Sequence, residues 1–264
     1  MEAVANMILT HPRNLKLGKL APKIGPRAFR MAKYMRAELP APPDVVNYAN
    51  GVAEWGMMGN EKAGDCTCAA AGHMIECWTA NAAGVEHPVI DSEVMAAYVA
   101  VTGIEGAAYD PLTGDNDNGC AIADVLDYWR KTGIGDHQIA AHGIVDPTNL
   151  FRIQQALWMF GGLDIGVNMP KSAQAQVGGV WDIGGDGDNT PGSWGGHAIP
   201  LVGYDGEHFT CVTWGALQQM TVEWFSAYCD EAHAVISQEW IDAATAKCPA
   251  GFDLDTLLAD LQAL

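Results

Sequence analysis

Positive charge is scarce in this sequence, which holds 14 lysine and arginine residues against 32 acidic ones. Such an acidic surface repels a phosphate backbone, so nucleic acid is disfavoured as a partner. The chain also lacks an apolar run long enough to cross a bilayer, and charges and a proline interrupt its start, where a signal peptide needs an apolar core. We therefore expect a protein without a membrane partner, located in the cytoplasm or associated with a larger particle.

The cysteines lack the spacing of a disulfide framework or of a zinc site. Seven of them occur, which is an odd number, and paired C-x2-C motifs are absent from the sequence. Two acidic stretches, residues 110–119 and 182–189, lack the spacing and the closing glutamate of an EF-hand calcium loop. The sequence thus predicts buried thiols, no metal and no cofactor.

Charge is unevenly distributed along the chain. Residues 1–36 hold eight bases and one acid, whereas the remainder holds six bases and 31 acids. The proline-rich stretch LPAPPD at 39–44 cannot continue a helix and marks a boundary. We therefore predict a basic N-terminal arm over 1–38 and a main domain over 39–264. The arm is expected to lie on the acidic body of its own chain or on a partner subunit.

Within the main domain, helical patterns come first and strand patterns later. Four segments with helix-type periodicity and capping residues precede position 162, and the runs LDIGVNM, HAIPLVGY and HFTCVTW have the alternation of strands. We divide the domain into a helical half over about 39–162, a sheet half over about 163–240 and an acidic tail helix over about 241–264. This order predicts an α+β fold.

The stretch GDCTCAAAGHMIECW contains the first candidate for catalysis. Asp65 has the residue type and the position of a helix N-cap, which puts Cys66 in the first turn. Free backbone N–H groups and the helix dipole favour a thiolate there. Cys68 lies about 200° around the helix, so the two thiols cannot face the same cleft. Cys66 is therefore the predicted nucleophile.

A base for this thiol is predicted at His197. This residue begins the strand HAIPLVGY directly after a glycine-rich loop, and the strand is followed by Asp205-Gly206, the dipeptide that a two-residue hairpin turn prefers. Glycines before a histidine let another element approach it closely, which favours a functional position. The other seven histidines are interpreted as structural or solvated, with His73 and His233 inside helices.

These features together resemble the papain-like cysteine peptidases. The separation of 131 residues between Cys66 and His197 lies within the roughly 130–150 residues typical of that family. The likeness covers about residues 39–236, and its segments follow in the family's order: LPAPPDVVNYANGVAEWGMMGN, the cysteine helix, NDNGCAIADVLDYWRKTGI, and GGHAIPLVGYD with VTWG. The resemblance implies a helical lobe followed by a twisted antiparallel sheet lobe, with the active cleft between them.

The resemblance also implies roles for single residues. Asn60, six residues before Cys66, takes the place of the family's oxyanion-hole glutamine, Asn118 and Gly119 match the glycine-rich substrate wall, and Trp214 covers the Cys–His pair. The implied reaction is hydrolysis of a peptide bond in a protein or peptide substrate through an acyl-enzyme intermediate. An arm placed before such a domain also has the position of an inhibitory prosegment.

The most serious departure from the family pattern concerns the residue that should orient the histidine. The asparagine that orients the histidine is absent, because VTWG puts Val212 in its place. If the hairpin has the predicted two-residue turn, His197 faces Trp214 across the strands, so Val212 shares the His197 face and Thr213 points to the opposite one. We therefore expect a histidine without its usual acceptor.

Two alternatives remain open. A chain with this fold and an incomplete triad can be a catalytically inert structural or interaction protein of a larger assembly, such as a viral particle. The stretch GDCT is also similar to cell-wall amidases or endopeptidases of the CHAP and NlpC/P60 type, although their cysteine-to-histidine distance is much shorter. Selective alkylation of Cys66 at mildly acidic pH would separate an active dyad from an inert one.

Overall fold

The structure, a computed structural model, describes residues 15–23, 29–35, 39–83, 86, 89–237 and 240. Five α-helices occur in these ranges: α1 (Cys66–Trp78), α2 (Asp91–Glu105), α3 (Ile122–Lys131), α4 (Leu150–Phe160) and α5 (Val222–Tyr228). None of the helices in this described part of the chain has the length and the apolar composition needed to cross a bilayer. The tail helix expected over 241–264 lies outside the described residues.

Eight strands form one sheet within the same ranges. They are β1 (Val46–Asn47), β2 (Ile139–Val145), β3 (Leu163–Met169), β4 (Val180–Trp181), β5 (Gly195–Tyr204), β6 (His208–Thr213), β7 (Ala216–Thr221) and β8 (Cys229–Ser237). The strand order is β2-β8-β3-β5-β6-β7-β4, and β1 pairs with β5. Neighbouring strands are antiparallel except for β4 and β7, which run parallel. The protein therefore has the predicted α+β fold, with one parallel pair in a sheet that was expected to be antiparallel.

Two helices begin or end at the residues that their local sequence predicts. The first, α1, starts directly after Asp65 as predicted, although the Asp65 side chain makes no capping hydrogen bond to the helix. The other, α4, starts after Asn149, whose side chain accepts a hydrogen bond from the N–H of Arg152 at 3.2 Å. It ends at Gly161, which has a φ of 71°, a left-handed conformation that glycine adopts without steric cost.

Two strands correct the prediction from the sequence. The strand β2 lies inside the half that was expected to be helical, and His233 lies in β8 instead of a helix. In the sheet, β8 is flanked by β2 and β3, and its residues from Glu231 to Ser237 are all buried. A strand that is buried on both faces shows no polar alternation, so periodicity alone cannot tell it from a buried helix.

The helix α1 lies in the middle of the molecule, and all its residues are buried. It packs against β5 and also contacts α2 and α3. Trp78 at its C-terminal end stacks on Trp129 of α3 with 5.4 Å between the ring centroids, and its indole N–H donates to the carbonyl oxygen of Phe160 at 2.9 Å. Burial of one such side chain contributes about 1.5–3 kcal/mol. These contacts fix the helix, and therefore Cys66 at its N-terminus, relative to the sheet.

The described residues of the basic arm lie on the body of their own chain. In the stretch 29–35, the carbonyl oxygen of Phe29 accepts a hydrogen bond from the N–H of Ile144 in β2 at 2.6 Å. Met31 is completely buried, and a Cβ atom at Gly143 would come within 2.6 Å of its sulfur. The glycine thus gives the arm room to pack against β2.

Candidate active site

Cys66 is the first residue of α1, and its side chain is buried. The backbone of Ala198, the residue after His197 in β5, forms a hydrogen bond with the thiol. The backbone of Gly18 in the N-terminal arm forms another. The thiol therefore lies where α1, β5 and the arm meet.

The surroundings of Cys66 keep its thiol protonated. Burial raises the pKa of the thiol to about 12, and the charge of Asp65 adds to this rise, whereas the hydrogen bonds from Ala198 and Gly18 act in the opposite direction. The start of a helix favours a thiolate, but exclusion of water disfavours any charge more strongly here. The expected thiolate is thus absent while the arm covers the thiol.

Asn60 and Asp65 form a buried pair beside the start of α1. The amide nitrogen of Asn60 donates to the Oδ1 atom of Asp65 at 3.0 Å and to the carbonyl oxygen of Ala63 at 3.1 Å. Both amide hydrogens are therefore used within this loop, which differs from the predicted role of Asn60 as an oxyanion donor. Asparagine is one methylene shorter than glutamine, and its amide reaches its own loop. Burial also raises the pKa of the Asp65 carboxyl well above its usual range.

The histidine has a hydrogen-bond partner that the sequence did not reveal. The Nε2 atom of His197 lies 2.7 Å from the hydroxyl oxygen of Thr213. The prediction that Val212 faces this histidine and that Thr213 points away is therefore wrong. The side chain of Val212 lies instead in a small apolar cluster with Ala49, Cys77 and Val202.

The hairpin register explains this difference. The chain reverses at Gly206-Glu207 and not at Asp205-Gly206, because the N–H of Asp205 donates to the carbonyl oxygen of His208 at 3.0 Å. A bulge within β5 then shifts the pairing with β6 by one further residue, which exchanges the two faces of the strand. The sequence did contain a signal, since the Asp205 carboxylate accepts the N–H of Glu207 at 2.8 Å, a geometry typical of an Asx turn.

Trp214 covers one face of the imidazole. The rings of Trp214 and His197 stack with centroids 4.5 Å apart and planes inclined by 14°, and the indole N–H donates to the carbonyl oxygen of Lys16 in the arm at 3.1 Å. The Nδ1 atom of His197 is buried and has no hydrogen-bond partner among the described residues. Burial lowers the pKa of this imidazole to about 3, so the ring is neutral while the arm is in place.

The second cysteine of the pair has different neighbours. The thiol of Cys68 forms a hydrogen bond with Cys120, and this bond together with burial raises its pKa well above the usual range. The neighbours that hydrogen-bond the Cys66 thiol are Ala198 and Gly18. The two thiols thus differ in surroundings, as the rotation along a helix predicts.

Gly119 and Asn118, which were matched to the substrate wall, lie beside the arm. Gly119 has a φ of 73°, its N–H donates to the hydroxyl of Tyr98 at 3.0 Å, and a Cβ atom there would overlap the carbonyl oxygen of Gly18. Asn118 contributes to the lining of a cavity of about 200 Å³ that also contacts Leu20 of the arm. Gly119 therefore permits a close approach and offers no free N–H.

The backbone groups that pair with the arm belong to the next residue, Cys120. Its N–H donates to the carbonyl oxygen of Gly18 at 2.9 Å, and its own carbonyl oxygen accepts the N–H of Leu20 at 2.9 Å. On the opposite side, the N–H of Lys19 donates to the carbonyl oxygen of Gly196 at 3.1 Å. The arm therefore lies as an extended strand between two walls, and we call the space between these walls the cleft.

Gly18 is the point of closest approach in the cleft. A Cβ atom on Gly18 would overlap the carbonyl oxygen of Gly64, which precedes Asp65 and Cys66. Only glycine fits between this carbonyl group and the wall at Gly119. The sequence predicted a basic arm but gave no indication that this glycine would lie against the thiol.

No protein-family model and no curated protein matches this chain. Among solved structures it is similar to xylellain, a cysteine protease from Xylella fastidiosa, with a TM-score of 0.66 and 16 % identity over 85 % of this chain and 97 % of that one. It is also similar to digestive procathepsin L 3 of Tenebrio molitor, with a TM-score of 0.57 and 10 % identity over 84 % of this chain and 76 % of that one.

A further similar structure is the Carica candamarcensis cysteine protease CMS1MS2 in complex with E-64, with a TM-score of 0.52 and 12 % identity over 74 % of this chain and 98 % of that one. Identities this low show the fold alone. The fold of the chain is papain-like.

Proposed function

We propose that this chain, which has the papain-like fold, is a cysteine peptidase that its own N-terminal arm keeps latent. The observation that carries the proposal is the path of the arm, whose Gly18 and Lys19 pair with Cys120 and Gly196 on the two walls of the cleft that holds Cys66 and the His197–Thr213 pair. An extended peptide that lies against a thiol near a histidine occupies the position in which a substrate would be attacked. The proposed substrate is accordingly a protein or peptide.

In this proposal Thr213 positions the histidine. Its hydroxyl oxygen accepts the hydrogen of Nε2, so the neutral imidazole keeps a lone pair on Nδ1. Nδ1 is the atom that has no partner among the described residues, and it can therefore take a proton from the thiol. A threonine hydroxyl is uncharged, so it fixes the tautomer but stabilises an imidazolium less than a carboxylate would.

The proposed reaction begins when the Cys66 proton moves to His197 and the sulfur attacks the carbonyl carbon of the scissile amide. The imidazolium then gives its proton to the leaving amine as the C–N bond breaks, which leaves a thioester on Cys66. A water molecule gives a proton to the imidazole, attacks the thioester and releases the acid, and the proton returns to the thiolate. Each step conserves protons and needs no cofactor.

The N–H of Cys66 is the proposed donor to the oxyanion. It belongs to the first turn of α1, where backbone N–H groups have no acceptor within the helix and the helix dipole favours negative charge. The amide of Asn60 can add a second hydrogen bond only after it releases Asp65. We therefore assign Asn60 a secondary role in this proposal.

Latency follows from desolvation. While the arm fills the cleft, burial favours a neutral thiol and a neutral imidazole. Removal of the arm admits water to both groups, which lowers the pKa of Cys66 and raises that of His197 toward their usual values. The two groups can then exchange a proton at neutral pH.

The full-length Gly18→Ala variant tests this proposal, because its added methyl group cannot fit against Gly64 and must displace the arm. We expect it to hydrolyse a mixture of fluorogenic peptides much faster than the parent chain. Gly206→Ala is the matched control, since a Cβ atom there meets nothing within 4 Å and should leave the activity of the parent unchanged. Adding Cys66→Ala to Gly18→Ala should remove all hydrolysis.

A second variant displaces the arm in a different way, so that the test does not depend on Gly18→Ala alone. Lys19→Glu puts a carboxylate next to Asp230 and Glu231, which should expel the arm by charge repulsion. Lys171→Glu makes the same charge change at an exposed position and serves as its control. If both arm variants fold and neither cleaves peptides or becomes alkylated at Cys66, the chain is an inert protein with a papain-like fold.

A further inference from the structure

The side chain of Lys19 leaves the arm and enters a pocket between β3 and β8. Its ammonium nitrogen lies 3.0 Å from Oδ2 of Asp230 and 3.1 Å from Oε1 of Glu231, and the lysine side chain is only 1 % exposed. A lysine is rarely buried to this extent unless carboxylates pair with it. The pocket therefore has the chemistry of a binding site for a cation.

A glycine makes room for the lysine stem. Gly166 in β3 pairs with Glu231 in β8, and a Cβ atom on Gly166 would overlap the Cε atom of Lys19. Any other residue at this position would fill the space through which the stem passes. We call the site formed by Asp164, Gly166, Asp230 and Glu231 the acidic pocket.

The acidic pocket holds one more carboxyl group than the two that Lys19 pairs with. Asp164 in β3 is buried, and its Oδ1 atom has no hydrogen-bond partner within the described part of the chain. Burial and the neighbouring Glu231 raise the pKa of Asp164 well above its usual range, while the charge of Lys19 lowers it. The other oxygen of Glu231 lies 2.9 Å from Nε2 of His233. Without Lys19, Oε1 of Glu231 would lose its ion-pair partner in a buried site.

The acidic pocket is adjacent to the thiol. Lys19 follows Gly18, whose backbone hydrogen-bonds Cys66, and the N–H of Lys19 binds the carbonyl oxygen of Gly196, the residue before His197. A peptide that lies in the cleft must therefore place one of its side chains into the acidic pocket when its backbone lies against the thiol.

We infer that the acidic pocket selects peptides with a lysine or arginine at the position that Lys19 fills. This inference rests on the proposed peptidase function, and it gives the Lys19 side chain the role of a resident mimic of the substrate. A cationic side chain restores the ion pairs with Asp230 and Glu231, whereas an aliphatic one leaves buried carboxylates unpaired and a glutamate adds like charge. The preference should therefore be lysine over methionine and methionine over glutamate.

Hydrolysis by the full-length Gly18→Ala variant tests the preference. Fluorogenic peptides that carry lysine, methionine or glutamate at each position in turn should reveal one position where lysine exceeds methionine in kcat/KM by about tenfold or more. Glu231→Gln and Asp230→Asn should reduce this ratio, and Glu223→Gln at an exposed position of α5 should not. Equal rates for lysine and methionine at every position would overturn the inference.

A binding measurement separates failure of the pocket from failure of the peptidase. A labelled copy of residues 15–23, LKLGKLAPK, is titrated with the full-length Gly18→Ala, Cys66→Ala double variant, and a copy with Lys19→Met is the comparison. The pocket predicts tighter binding of the lysine peptide by about tenfold or more. Lys19→Glu provides a second background if Gly18→Ala does not fold.

The possible results are distinct. Tighter binding of the lysine peptide without any cleavage or alkylation of Cys66 would support the acidic pocket and contradict the peptidase proposal. Cleavage without a preference, together with equal binding of both peptides, would support the peptidase proposal and overturn the pocket.

Discussion

The Nε2 atom of His197 lies 2.7 Å from the hydroxyl oxygen of Thr213, so a threonine occupies the position of the acceptor that orients the candidate base. The contact depends on a bulge in β5, which brings Thr213 and not Val212 to the side of the histidine. The candidate site therefore includes Thr213 as a positioning residue. The papain-like sequence pattern points to position 212 instead and does not identify it.

Loss of this hydroxyl should lower activity. In the Gly18→Ala background we expect Thr213→Val to reduce kcat by about tenfold to a hundredfold, because the imidazole loses its preferred tautomer and orientation. Thr213→Ser keeps the hydroxyl and should retain most of the rate. The rate is measured against pH, and a valine variant with the activity and the pH profile of the serine variant would contradict the assignment.

Replacing Val212 by the asparagine of the family pattern should not raise the activity. Val212 packs in the small apolar cluster away from His197, so Val212→Asn should lower the free energy of unfolding by about 1–3 kcal/mol through burial of an unsatisfied amide. Turnover in the Gly18→Ala background should stay level or fall. Urea unfolding and peptide hydrolysis measure the two effects, and a rise in turnover would mean that Val212 faces the histidine after all.

The two neighbouring cysteines should respond differently to substitution. In the Gly18→Ala background, Cys66→Ala should abolish hydrolysis, while Cys68→Ala should retain most of it. The second change removes a buried thiol that contacts Cys120, which should cost about 1–2 kcal/mol of stability. Hydrolysis assays on both variants check this, and activity that survives the loss of Cys66 would assign the nucleophile elsewhere.

Glu76 in α1 should make stability depend on pH. Burial raises the pKa of its carboxyl to about 8, while the unfolded chain has the usual pKa near 4.5. The folded state therefore keeps a proton that the unfolded state releases, so stability is fully present below about pH 4.5 and is lost as pH rises toward 8. Glu76→Gln should remove this slope.

Urea unfolding at pH 5 and pH 8 checks the Glu76 prediction. The difference in unfolding free energy between the parent and Glu76→Gln should shift in favour of the variant at the higher pH. An identical pH dependence of the two proteins would show that Glu76 titrates with an ordinary pKa.

The local features of the site were predictable from the sequence, whereas its long-range geometry was not. The residue after Asp65 begins a helix and His197 lies in a strand, because the residue types that start helices and the alternation of strands act over a few residues. The side of the hairpin that carries Thr213 depends on a one-residue bulge, which leaves little trace in the amino-acid pattern.

The position of the arm was also beyond prediction from charge alone. A surplus of basic residues predicts attraction to an acidic body, but it does not specify the place. The place depends on Gly18, which fits against Gly64, and on Lys19, which fits the acidic pocket. Both are single contacts between residues far apart in the sequence, and no local pattern contains them.

The central claim is that Cys66 is a nucleophile that the arm keeps desolvated. The most direct measurement is the rate of alkylation of Cys66 by iodoacetamide as a function of pH, followed by mass spectrometry, in Gly18→Ala and in its control Gly206→Ala. The account predicts selective labelling of Cys66 in Gly18→Ala, with a thiol pKa far below the value of about 12 that holds when the arm covers it, and slow labelling of the control. A folded Gly18→Ala variant whose Cys66 reacts as slowly as in Gly206→Ala across the whole pH range would contradict it.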